Sequence, residues 1–114
     1  MKNLELIKHY FHLSNIWDIT SIWKILDEEV SYSSDNTGIH FWKENVLKMK
    51  NNFFWGLNSQ NWEIKKIVEI SERIFRVDFF FTGTTTKWIN ISKSWRENII
   101  INKWKLRHIE VRNC

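Results

Sequence analysis

From Trp62 onward the hydrophobic pattern changes to period two, and that change constrains the fold more than any other feature of the chain. Before it, apolar residues recur at helical spacing. Leu4, Ile7, Phe11 and Ser14 share one stripe, and Leu6, Tyr10 and Leu13 lie beside it. So wide a stripe predicts a helix buried on much of its circumference. Asn15-Ile16-Trp17-Asp18 breaks it, and the Asp18 carboxylate can cap a second helix by accepting from its free N–H groups. Ile19, Ile22, Trp23 and Leu26 form that helix's apolar face, and Asp27-Glu28-Glu29 ends it. Val30-Ser31-Tyr32 alternates like a short strand, residues 33–38 are rich in turn formers, and a third helix over residues 43–54 carries Val46, Met49, Lys50 and Phe53 on one side.

Beyond Trp62 the period is two. Trp62, Ile64, Val68 and Ile70 fall on one face, with Lys66 the exception. Phe75, Val77, Phe79 and Phe81 fall on one face of the next strand, which reaches a bend or bulge candidate at Thr82-Gly83-Thr84. Residues 87–91, 98–101 and 105–112 supply further strand material. Helices followed by strands predict an α+β protein: three N-terminal helices packed on an antiparallel sheet, in a single domain over residues 1–114.

Composition excludes several function classes. No apolar run approaches the roughly 20 residues that cross a bilayer, and Glu5 and Lys8 interrupt any leader-like stretch at the start. The single cysteine, Cys114, allows no internal disulfide, so a reducing cytoplasmic location is expected. The net charge of +4 is spread along the chain, with no basic run longer than Lys65-Lys66. That predicts a solvated surface rather than the clustered footprint of a nucleic-acid binder. His9, His12 and His40 lack partners at ligand spacing and no Gly-rich phosphate loop is present, so neither metal nor cofactor is expected.

Four short segments carry a resemblance. Ile16-Trp17-Asp18-Ile19 followed by Ile25-Leu26-Asp27-Glu28-Glu29-Val30 resembles a Gly-Asp helix start and an acidic pair before the first strand. Phe41-Trp42-Lys43-Glu44 resembles a Gly-basic-Glu helix start. The stretch from Thr82-Gly83-Thr84 to Trp88-Ile89 resembles a Thr-Gly-Thr motif, and Asn102-Lys103-Trp104-Lys105-Leu106 a turn of the Asp/Asn-Gly-Lys-Ile kind. In this order they resemble the nuclear transport factor 2-like superfamily, and within it the SnoaL-like polyketide and ester cyclases and the ketosteroid isomerase-like proteins. The resemblance implies helices lying in the concave side of a curved sheet, forming a cone with a mostly apolar pocket.

The same segments depart from the superfamily in one systematic way. Trp17, Trp42, Trp88 and Trp104 stand where the resembled motifs have Gly, and Trp95 is placed likewise. The chain has 8 Trp, no Pro, no Ala and 3 Gly; glycine at those five positions would restore the roughly 8 that average usage gives for this length. Two readings follow. The gene comes from a bacterium that reads UGA as glycine and has been translated with tryptophan, or the protein is truly Trp-rich, with indoles filling its core or lining its pocket.

The resemblance also implies site residues. Tyr10 lies eight residues before Asp18, where the steroid isomerases carry the tyrosine that donates to an oxyanion. The isomerase base, just after the first strand, falls on Ser34, with Asp35 next to it. No carboxylate stands near Ile91-Ser92 for a second oxyanion donor, which argues against steroid isomerase activity. His108 with Glu110 could form an acid/base pair on the last strand, where Ile109 and Val111 compete for the inward side. The expected function is binding of a small apolar molecule, with cofactor-independent isomerase, cyclase or hydrase chemistry through Tyr10, Asp35 and His108. Its alternative is a non-catalytic homodimer joined through the outer sheet face of Arg76, Asp78, Phe80 and Thr82. Binding of single-stranded nucleic acid would require the tryptophans to be real and clustered on the surface.

Overall fold

The computed structural model describes residues 2–114. The order is α1 (Asn3–Asn15), α2 (Ile19–Ile25), β1 (Leu26–Ser34), β2 (Gly38–Phe41), α3 (Lys43–Trp55), β3 (Leu57–Ser71), β4 (Ile74–Thr85), β5 (Asn90–Asn102) and β6 (Lys105–Asn113). The six strands form one sheet in the order β2-β1-β6-β5-β4-β3.

The α+β class stands, with two corrections. The helices are not all N-terminal, because α3 follows the β1–β2 hairpin. The sheet is not wholly antiparallel, because β1 runs parallel to β6, Ser31–Ser34 facing His108–Val111. The period change near Trp62 could not reveal that pairing, since a parallel partner comes from the far end of the chain.

Local chemistry sets the elements. Asp18 caps α2, accepting from the Ser21 backbone N–H at 3.0 Å and from the Ser21 hydroxyl at 2.7 Å. Those two bonds hold its carboxyl below the usual range. The α2 pattern ends one residue earlier than its periodicity predicts, since Leu26 already belongs to β1 and Asp27-Glu28-Glu29 continues that strand. The turn-rich stretch leads directly into strand β2, which its pattern does not show, and β5 is continuous where the pattern predicts two pieces.

Two bulges decide which side chains face inward. Between Ile64↔Phe79 and Lys66↔Asp78, Lys65 has no opposite number. The inward set therefore passes from Trp62 and Ile64 to Ile67, while Val68 faces out and Ile70 is exposed. On β6 the register passes from Ile100↔His108 to Ile101↔Leu106, leaving Arg107 extra. Leu106, Ile109 and Val111 are thereby all buried. No bulge falls in β4 at Gly83. That glycine instead permits close strand approach, since a Cβ there would lie 2.7 Å from the Ser59 carbonyl oxygen of β3.

The core lies between α1 and α3 and the concave face of the sheet. Leu6, Ile7, Tyr10, Phe11 and Leu13 of α1 and Val46, Met49 and Phe54 of α3 pack on the inward residues of β1, β4, β5 and β6. Side chains such as Ile7, Phe75 and Ile99 have no solvent exposure, and each such burial contributes about 1.5–3 kcal/mol.

Candidate functional site

The inward positions of β5 are Trp95, Glu97, Ile99 and Ile101, so the strand's alternation places a carboxylate on the apolar side. Glu97 is 1% exposed and stands between Val77 of β4 and Val111 of β6. Opposite the sheet, α3 brings in Lys50, which belongs to the same stripe as Val46 and Met49 and is also buried. Its ammonium donates to the Tyr10 hydroxyl and lies 4.8 Å from the ring centroids of both Tyr10 and Tyr32, close enough for the ring faces to attract the charge.

Burial governs the electrostatics of these four residues. Loss of solvent raises the Glu97 carboxyl from 4.5 to about 7, against the opposing pull of the Lys50 charge. Loss of solvent likewise lowers Lys50 from 10.5 to about 8, with Glu97 acting in the other direction. Both tyrosines are pushed well above 10, by desolvation first and then by the Glu97 charge. A carboxyl near 7 exchanges its proton readily at neutral pH, the condition that acid–base chemistry needs.

Lys50 and Tyr32 of these four also line a small cavity of about 30 Å³, room for roughly two waters; Glu97 and Tyr10 lie behind its lining. Tyr32, Ser34, Thr37, Lys50, Val111 and the rings of Phe53, Phe54, Trp62 and Trp95 are among its lining. The aromatic side is closely packed: Trp95 stacks on Phe81 at 4.8 Å, and Trp62 meets Phe81 edge-on at 4.8 Å. Asn15 fixes the strand carrying Trp62, accepting from the Trp62 N–H at 2.7 Å and donating to its carbonyl at 3.1 Å. Trp62 Nε1 donates to Gln60 Oε1 at 3.1 Å.

Among the described residues, five buried side-chain polar atoms lack a partner. Two of them, Thr37 Oγ1 and Trp95 Nε1, belong to cavity-lining residues, and a third, Glu97 Oε1, is on the residue two along the strand from Trp95. Each such atom costs about 1–3 kcal/mol, so these three call for a functional explanation.

Of the three residues expected from the sequence, the structure brings only Tyr10 to this site, one layer behind the cavity and joined to it through Lys50. Asp35 is in the exposed turn after β1. Its Oδ1 accepts from Arg112 at 3.3 Å and its Oδ2 from the Asn113 N–H at 3.0 Å, so it ties β1 to the end of β6. The β6 bulge turns His108 to the outer face, where Nδ1 meets the Ser31 hydroxyl at 2.7 Å; Glu110, on that same side, pairs with Arg112 at 3.2 Å. Lys50, Tyr32 and Glu97 were not anticipated as site residues. The signal for Glu97 was present, as a lone charge at an inward position between Trp95 and Ile99. Among the described residues no group of acidic, His or Cys side chains could hold a metal ion, and no helix is long and apolar enough to cross a membrane.

No family model matches the sequence, and no curated protein matches it either. Solved structures do. A nuclear transport factor 2-like protein of unknown function from Burkholderia pseudomallei superposes with a TM-score of 0.89 over 100% of this chain and 92% of its own, at 9% identity. The chain has the nuclear transport factor 2-like fold. A hypothetical protein of ketosteroid isomerase-like fold from Catenulispora acidiphila, in complex with trimethylamine, gives 0.85 at 7% identity, covering 97% of this chain and 85% of the other. A candidate polyketide cyclase from Pseudomonas putida gives 0.83 at 13% identity, covering 97% and 90%. The expected superfamily is thus met at the level of the fold.

Proposed function

We propose that this domain binds a small, largely apolar molecule bearing a carbonyl or hydroxyl oxygen, and moves a proton on it without a cofactor, as an isomerase, cyclase or hydrase does. The observation that carries this reading is Glu97: a buried carboxyl, 1% exposed, with one unpartnered oxygen and an affinity for protons tuned to about 7. In this reading Glu97 takes or returns the proton. Lys50 and the hydroxyl it holds on Tyr10, with Tyr32, stabilise charge that develops on the substrate oxygen in a site from which water is largely excluded. Asp35 and His108, spent on surface contacts, have no part in it.

Exchange of the α-hydrogens of cyclohexanone in buffered deuterium oxide, followed by proton NMR, tests the catalytic form. Exchange faster than buffer, lost in Glu97→Gln, supports it; exchange at the buffer rate in the intact protein removes it.

The alternative is non-catalytic assembly through the outer sheet face. The smallness of the cavity favours it, and half-buried Phe80 and exposed Ile100 supply apolar surface there, beside the Asp78–Arg96 ion pair at 2.7 Å. Sedimentation equilibrium distinguishes the two: a strict monomer removes this alternative.

A further inference from the structure

Among the described residues, five that are not glycine have positive φ, and four of the five are tryptophan: Trp17 (58°), Trp42 (75°), Trp88 (62°) and Trp104 (66°), with Lys103 (49°) the fifth. Bulky residues are genuine outliers in this region. The four also belong to four separate backbone devices, each of which calls for glycine on its own grounds.

Trp17 follows α1 at the position after its cap. The Asp18 N–H reaches the Leu13 carbonyl at 3.0 Å and the Trp17 N–H reaches Ser14 at 3.4 Å, the crossed pair of bonds that ends a helix on a left-handed glycine. Trp42 precedes α3 at φ 75°, ψ 141° and caps it with no side-chain hydrogen bond, close to a region that glycine alone occupies freely. Trp88 is the third residue of the loop 86–88, closed by Trp88 N–H to Thr85 at 2.9 Å and Thr85 N–H to Ile89 at 2.9 Å; a three-residue hairpin loop places glycine there. Trp104 is the second residue of the two-residue β5–β6 turn, and Lys103 and Trp104 both have positive φ. That turn type takes Asn-Gly or Asp-Gly.

The side chains give little reason for the strain: Trp17 stacks on Phe54 at 5.8 Å, and the other three rings make no aromatic contact among the described residues. All four are exposed, from 39% at Trp17 to 77% at Trp88. Trp23, Trp55, Trp62 and Trp95 have no positive φ. One chemical relation links the two residue types: the codon UGA is read as tryptophan in some genetic codes and as glycine in others.

We infer that the natural protein carries glycine, encoded by UGA, at positions 17, 42, 88 and 104. Trp95, grouped with them on sequence grounds, is separated by its backbone: it is a buried strand residue in which nothing demands glycine. With the four indoles gone, the surface loses most of its exposed rings, and with them the stacking platform that single-stranded nucleic acid would need.

Two measurements test this. Peptide mass spectrometry of the protein isolated from its source organism, read beside the codons of its gene, should show glycine and UGA at all four positions; tryptophan at any of them in the natural protein overturns the inference for that position. Independently, the combined variant Trp17→Gly, Trp42→Gly, Trp88→Gly and Trp104→Gly should unfold at a midpoint at least about 4 °C above that of the chain as written. An unchanged or lower midpoint overturns the strain argument.

Discussion

Lys50 donates a hydrogen bond to the hydroxyl of Tyr10 inside the core, joining the middle of α3 to the middle of α1. Neither residue has a surface role, and both lie within the reach of the Glu97 charge. A buried ammonium and a buried carboxyl close enough to shift one another, without an ion pair within 4.0 Å, make an expensive arrangement for stability alone.

The pair makes stability depend on pH in an unusual direction. Between 4.5 and about 7, folded Glu97 keeps a proton that the unfolded chain releases, so stability falls as pH rises through that window. Between about 8 and 10.5, folded Lys50 has lost a proton that the unfolded chain keeps, so stability rises again. Each limb spans up to about 3 kcal/mol. Urea midpoints measured across the range should show a minimum near neutrality, and Glu97→Gln should flatten the acid limb. A wild-type curve rising steadily from pH 4.5 to 7 contradicts the assignment.

Lys50→Met removes the charge and keeps the apolar stem. Because Lys50 holds the Glu97 carboxyl down, its loss should move that titration above 7, as read by carbon-13 NMR of the labelled carboxyl. A downward move would show that the two groups are not coupled as described.

Trp95→Gly tests what fills the cavity. The indole is 5% exposed, stacks on Phe81 and leaves its N–H unpaired. Loss of its packing should cost about 3–5 kcal/mol, less whatever the unpaired N–H already cost. The opened space should admit 2-naphthol, detected by its fluorescence, where the intact protein excludes it. Equal binding by both would place the probe elsewhere.

Much of the fold was legible because it rests on period and punctuation. The Asp18 cap and the inward Phe75 to Phe81 set express local rules and appear as read; the α1 stripe does so apart from exposed Leu4, and the change to period two is real but comes earlier, since β3 already begins at Leu57. What was missed depends on distant partners. The parallel β1–β6 pairing, the bulge at Lys65 and the bulge at Arg107 cannot be counted along one strand, and the last of these turned His108 away from the cavity. The site was less legible for the same reason. Tyr10 could be placed by its spacing from Asp18, whereas Lys50 and Glu97 come from a helix and a strand far apart in the chain and influence one another only through shared burial.

Gly83→Ala probes the β3–β4 contact without touching the site. Its added methyl would press on the Ser59 carbonyl oxygen, and overpacking of this kind costs about 1–3 kcal/mol. Thermal unfolding should show that loss, with the Glu97 titration unchanged; a neutral substitution would mean that the strands separate freely there.

The central claim is that the cavity lined by Tyr32, Lys50, Trp95 and Val111 is a ligand site, and amide chemical-shift mapping during titration with phenol tests it most directly. The account predicts saturable shifts concentrated at Tyr32, Lys50, Trp95 and Val111, weakened in both Lys50→Met and Glu97→Gln. Shifts confined to the outer sheet face around Phe80 and Ile100, or no saturable shifts at all, would contradict it.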